Sequence, residues 1–233
     1  MKQLRLNYFT KQEIFLWIFS TSMILLSFNH FDGENTLTLY ASIIGVTSLL
    51  FNAKGHPFGQ LLMIIFSLLY GFISYQFDYY GEMITYLGMT GPMAFVALIA
   101  WIKNPFNENK SQVKIDHLHS REWGIMFALA LLVTFIFYFI LEYFNTSHLY
   151  LSTFSVTTSF IAVYLTYKRS EYFALAYAMN DIVLIGLWIL ASKNDQSVLS
   201  VVVCFSMFLI NDCYGFVNWR KLKSQQASLM NLN

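Results

Sequence analysis

Eight apolar runs, each near the length a helix needs to cross hydrocarbon, are strung along this chain between charges, Pro, Asn or His. They cover residues 12–29, 37–52, 57–75, 80–102, 123–144, 149–167, 171–192 and 197–219. A helix rises about 1.5 Å per residue through a hydrocarbon core about 30 Å thick, so about 20 apolar residues make one crossing. Inside lipid each backbone N–H and C=O must find its partner within its own segment or in a closed barrel. Runs of this length select the helix. The expected fold is an all-α integral membrane protein with 8 transmembrane helices. Composition agrees: 57% of the 233 residues are hydrophobic and 12% charged, about half the charged share of a soluble domain.

The net charge of +1 points to no nucleic-acid partner; the lipid bilayer is the partner that the composition demands. The distribution of charge says more than its sum. Basic residues of short loops collect on the cytoplasmic side. With eight crossings, 13 of the 14 Lys and Arg residues fall on one side, and only Lys193 falls opposite. This places both termini in the cytoplasm and the protein, as a multi-pass chain, in the cell membrane. The opening "MKQLRLNYFTKQE" is basic, but a long apolar run follows it without a small-residue cleavage site. It reads as an anchor rather than a signal.

The connection "KNPFNENKSQVKIDHLHSRE" is polar, and the span after it, 123–144, has no central charge, Asn or Gln. That plain span reads as a linker. Three spans with short loops lie on either side of it, so two copies share one orientation only because a single helix joins them. The expected layout is a cytoplasmic N-terminus with an extra helix (1–36), a first three-helix bundle (37–103), a cytoplasmic loop and linker helix (104–146), a second bundle (147–223) and a cytoplasmic tail (224–233). A 3+1+3 parallel repeat of this kind is a transporter pattern.

Two Asn-Asp pairs sit in the greasiest part of the second bundle: Asn180-Asp181 in "LAYAMNDIVLIGLW" and Asn211-Asp212 in "FLINDCYGFVNW". An ionised Asp at mid-span costs about 2.5–3.5 kcal/mol on insertion scales, so such residues face a bundle interior or a cavity. Counted from the cytoplasmic ends, Asp181 lies roughly 15 Å deep and Asp212 roughly 10 Å. Helical spacing puts Tyr177 and Trp188 on the stripe of the first pair and Gly215, Asn218 and Trp219 on that of the second. Carboxamides, carboxylates and flat aromatics together suit a solute with a ring and several hydroxyl or amide groups. The candidate substrate-binding set is Phe173, Tyr177, Asn180, Asp181, Trp188, Asn211, Asp212, Tyr214 and Asn218. The competing reading is that the four polar residues only join helices to each other. In the fourth span, Gly88, Gly91 and Pro92 are candidate hinge residues, since proline frees a carbonyl and permits a kink; ordinary membrane-helix use of Gly and Pro is the alternative. Glu82, near the outer end of that span, is expected at the interface.

Catalysis finds little support. All five histidines lie in loops or at span ends, and neither H-E-x-x-H nor G-x-S-x-G is present, so no metal, cofactor or serine nucleophile is indicated. The chain is not expected to be an enzyme; an aspartate dyad or a sensor that binds without transport are the alternatives from other classes. Cys204 and Cys213, nine apart, fall on opposite sides of one helix and cannot pair. A homo-oligomer is left open.

The segments "ISYQFDYYGEM", "RSEYFALAYAMND" and "FLINDCYGFVNW" resemble the PnuC family of vitamin and nucleoside transporters, with the likeness running from about residue 37 to residue 223. The resemblance implies a SWEET-like 3+1+3 core, with an additional N-terminal helix found in some members. It also implies import of nicotinamide riboside by facilitated diffusion, with cytoplasmic phosphorylation trapping the product. Relatives are associated with thiamine, riboflavin or deoxynucleosides, and a proton-coupled route through Asp181 or Asp212 is the alternative. Of the family's W-x-x-W-x-x-x-N pattern only the Asn carries over, as Asn180; Phe173 and Ala176 stand at the two Trp positions.

Overall fold

Eight helices long and apolar enough to cross a membrane appear in the computed structural model, and each lies where an apolar run lies. They are α1 (Lys11–Asp32), α2 (Thr36–Ala53), α3 (Phe58–Gln76), α4 (Tyr80–Lys103), α5 (Ser120–Tyr143), α6 (Leu149–Tyr167), α7 (Phe173–Ala191) and α8 (Gln196–Met230). The structure describes residues 8–33, 35–77, 79–106 and 109–230, without the side chains of Asn109 and Lys110. Lys2 and Arg5 of the charge count, Asp78 of the third-span motif and residues 231–233 of the tail lie outside the described residues.

Local chemistry sets the helix ends. Thr10 caps α1 in a reciprocal box: the Glu13 N–H donates to Thr10 Oγ1 at 3.2 Å, and the Thr10 N–H donates to Glu13 Oε2 at 2.7 Å, satisfying two otherwise orphan donors. The turn from α2 to α3 passes through Gly55 at φ +68°, a left-handed conformation that glycine adopts without a side-chain clash. Pro57 follows just before α3. In α4 the helix widens into a π turn over Tyr86–Thr90, directly before Gly91 and Pro92. Pro92 has no N–H to donate, so the ladder is already broken where the turn widens.

Six helices close a ring, in the order α2, α3, α4, α6, α7, α8 and back to α2. Two stand outside it. The linker helix α5 packs on α6 and leaves Phe127, Leu131, Phe135 and Phe139 exposed, as a lipid-facing helix must. α1 packs on α2 and α8. Small residues let the ring close tightly: a Cβ on Gly215 of α8 would meet the Cβ of Ala174 at 3.5 Å and that of Ala53 at 3.8 Å, so α7, α8 and α2 approach almost backbone to backbone.

Two features depart from a purely helical plan. The polar loop contains a short antiparallel pair, β1 (Pro105–Phe106) with β2 (Asn109–Val113). It lies across the basic face, where the Val113 N–H donates to Gly55 O at 2.9 Å. The last helix also runs past Trp219 to Met230, and its buried Gln226 bonds both Val113 O at 3.0 Å and the Ile115 N–H at 2.9 Å. A loop strand with no neighbouring strand on its far edge thus finds its hydrogen bonds in a side chain of the helical extension.

Candidate functional site

The ring encloses one cavity at the depth of the Asn-Asp pairs. Its wall is Leu49 from α2, Met63 and Phe66 from α3, Tyr86 and Thr90 from the π turn of α4, Tyr177, Asn180 and Asp181 from α7, and Phe205, Phe208 and Asp212 from α8. The cavity volume is about 10 Å³, room for about one water. A nucleoside-sized pocket needs about 300 Å³ or more. The cavity is therefore too small, in this conformation, for the ring-bearing solute that the residue types suit.

Asn180 is held in a defined orientation. The Ser159 hydroxyl, which has no other acceptor among the described residues, donates to Asn180 Oδ1 at 2.9 Å, and Thr158 Oγ1 lies 2.8 Å from the same oxygen. With its oxygen held against α6, the carboxamide has its Nδ2 donor left for the cavity. Asp181 and Asp212 are 3% and 4% exposed, and both carboxyl groups line the cavity, one from α7 and one from α8. Glu82 is buried rather than interfacial: it is 1% exposed and accepts from Ser155 Oγ at 2.8 Å. The reason is α6, whose Ser and Thr residues line its contact with α4 and offer a hydroxyl at that depth. Among the described residues no three His, Cys, Asp or Glu side chains converge as metal ligands would.

Aromatic groups shut the cavity at both ends. Toward the basic face, Phe173 stands edge-on to Trp219 at 4.6 Å between ring centres, and Trp101 lies 5.4 Å from Trp219. Their indole N–H groups donate to Thr166 O (Trp101, 2.9 Å) and Asn52 O (Trp219, 2.8 Å). Toward the opposite face, Trp188 packs on Tyr79 at 4.8 Å and Tyr70 packs on Tyr86 at 4.3 Å.

Of the nine candidate binding residues, the cavity brings together Tyr177, Asn180, Asp181 and Asp212. The other five lie elsewhere. Phe173 and Trp188 belong to the two aromatic closures. Asn211 turns to α1, where its Nδ2 donates to Ser20 Oγ at 2.9 Å and to Met207 O at 2.8 Å. Tyr214 bonds Glu13 Oε1 at 3.0 Å, beside the Lys54–Glu13 ion pair of 3.2 Å. Asn218 donates to Ala53 O at 2.7 Å and so satisfies an orphan carbonyl at the C-terminal end of α2. Neighbours on a helix point about 100° apart, which leaves both Asn180 and Asp181 on the cavity wall, whereas on α8 the side that Asn211 takes is covered by α1.

Sequence reasoning missed Tyr86, Thr90, Phe66 and the Ser159 support of Asn180. A signal existed for the first two, since Gly88, Gly91 and Pro92 mark the α4 segment that widens to present them. Phe66 looks like any other core residue in sequence.

Comparison with known proteins gives a consistent picture. The model of a family described as nicotinamide mononucleotide transporter matches residues 35–221, which is the ring and the linker helix without α1. A nicotinamide riboside transporter PnuC from Neisseria mucosa is 29% identical over 84% of this chain and 76% of its own length. One from Haemophilus influenzae is 23% identical over 81% of each chain. Among solved structures, the crystal structure of the vitamin B3 transporter PnuC superposes with a TM-score of 0.82 at 25% identity and covers 94% of both chains.

Proposed function

This chain belongs to the nicotinamide mononucleotide transporter family, and from that premise we infer that it carries nicotinamide riboside, or a related nucleoside-like vitamin precursor, across the cell membrane. It is a multi-pass membrane protein. Both termini lie in the cytoplasm on this reading, with the basic face inward, and the chain performs no chemistry on its solute. The two triple-helix bundles, α2–α4 and α6–α8, rock about the cavity between the aromatic closures, and phosphorylation in the cytoplasm traps what has entered.

The observation that carries the reading is the oriented carboxamide of Asn180 facing a cavity walled by Tyr86, Tyr177 and Phe66. An amide donor fixed beside aromatic faces fits a carboxamide-bearing ring, which stacks and accepts at once. The π turn of α4, with Gly88, Gly91 and Pro92 around it, is the segment able to widen the cavity to solute size.

Counterflow in liposomes carrying the purified protein tests the function. Labelled nicotinamide riboside should accumulate against an unlabelled internal pool, and should do so after the proton gradient is collapsed. Asn180→Ala should abolish binding while the protein stays monodisperse; unchanged affinity would take Asn180 out of the site. Accumulation that stops with the proton gradient would replace passive transport by proton coupling.

A further inference from the structure

The cavity contains two carboxyl groups that no basic side chain of its wall faces. Asp181 and Asp212 both line it, while no Lys, Arg or His does. The ion pairs among the described residues use Glu13, Glu122, Asp116 and Glu171 instead, all toward the basic face and away from the cavity. Asp181 Oδ2 is buried and receives no hydrogen bond from any described donor. A buried carboxyl group left without a partner ionises readily only where a counter-charge arrives from outside the protein. Aromatic rings line the same cavity, Phe66 and Tyr86 from α3 and α4 and Tyr177 and Phe208 one turn from the two aspartates, and the faces of such rings attract cations as well.

We propose that the Asp181–Asp212 pair is the specificity-determining element for charge in this cavity, selecting a solute whose aromatic ring carries a fixed positive charge. This rests on the transport reading above and deepens it. Nicotinamide riboside is a pyridinium cation, and its 1,4-dihydro form has nearly the same shape and hydrogen-bonding groups without the charge. Neutral nucleosides of similar size offer the pair nothing to neutralise.

The experiment compares binding of the oxidised and the dihydro forms to the purified full chain by calorimetry. The oxidised form should bind about tenfold or more tightly than the dihydro form. In D181N/D212N, and to a lesser degree in D212N alone if the double variant does not fold, that ratio should fall to about one. Equal affinities in the unaltered protein, or a variant that folds and keeps the full preference, would overturn the proposal. If neither nicotinamide compound binds, the nicotinamide reading is what fails, and 1-methyladenosine, a cation at neutral pH, is then compared with adenosine. Preference for the methylated nucleoside upholds charge selection by the pair; equal affinity, or binding of neither, overturns it.

Discussion

Trp188 of α7 donates its indole N–H to the hydroxyl of Tyr70 on α3 at 2.7 Å, with both side chains buried. The bond ties α7 to α3 across the ring, at the end of the cavity away from the basic face. Tyr70→Phe leaves the indole donor without a partner, and an unsatisfied buried donor costs about 1–3 kcal/mol. Thermal unfolding in detergent should show the loss. A Trp188→Phe, Tyr70→Phe double variant should be less destabilised than the sum of the single changes, because it removes both partners together; simple additivity would mean that the bond contributes nothing.

Ser159 does not line the cavity and bears on it through Asn180. Ser159→Ala removes one of the two hydroxyls that hold the carboxamide oxygen, a loss of about 0.5–1.5 kcal/mol. The affinity for nicotinamide riboside should weaken several-fold. Ser206→Ala on α8, whose hydroxyl only bonds back to Val202 O, should leave affinity where it was. Equal effects from the two would show that the orientation of Asn180 is immaterial.

Two glycines should respond oppositely to the same change. A Cβ on Gly59 would overlap the side chain of Asn52 and lie 2.7 Å from its backbone nitrogen, and Asn52 cannot retreat because Oδ1 accepts from Gln60 at 2.8 Å. Gly59→Ala should cost about 1–3 kcal/mol, as overpacking does. Nothing lies within 4 Å of a Cβ on Gly186, so Gly186→Ala should be neutral or stabilising by up to about 1 kcal/mol. Melting temperatures of the two variants in one detergent decide it.

His56 makes stability depend on pH. Burial in the turn before α3 lowers the pKa of its imidazole below the ordinary value, and Nδ1 accepts from the Phe58 N–H at 3.0 Å, which a protonated ring could not do on that nitrogen. The unfolded chain takes up the proton first. The contribution of His56 is therefore complete above pH about 6.5 and is lost as pH falls toward the lower folded value. His56→Asn keeps an acceptor without titrating, so the difference in melting temperature between it and the unaltered protein should change over that acid range; a constant difference would remove His56 as the cause.

Residues that share a chemical type in the sequence have diverged in role. Asn180 and Asn211 stand in matching Asn-Asp pairs, yet one faces the cavity and the other holds α1 through Ser20. Their difference depends on what surrounds each helix. α7 has α6 on one side to orient Asn180, whereas α8 has α1 on the side to which Asn211 points. The polar residues of the last span could be placed at mid-depth by counting, but not rotated about the helix axis without knowing that α1 packs there. Tyr214 and Asn218 follow the same logic, one tied to Glu13 of α1 and the other to the end of α2.

The sequence by itself determined the class of fold, the number of crossings and their boundaries to within a few residues, except at the end of α8, which runs eleven residues past the expected Trp219. It could do so because lipid imposes one requirement on each backbone group separately, and a run of about 20 apolar residues meets it alone. Tertiary structure decided which polar groups meet, that the cavity is shut between two aromatic closures, that Glu82 is buried against α6, and that the extension of α8 ties down the polar loop through Gln226. Those outcomes depend on the rotation and partner of each helix, and on packing between segments far apart in the chain, which no single segment encodes.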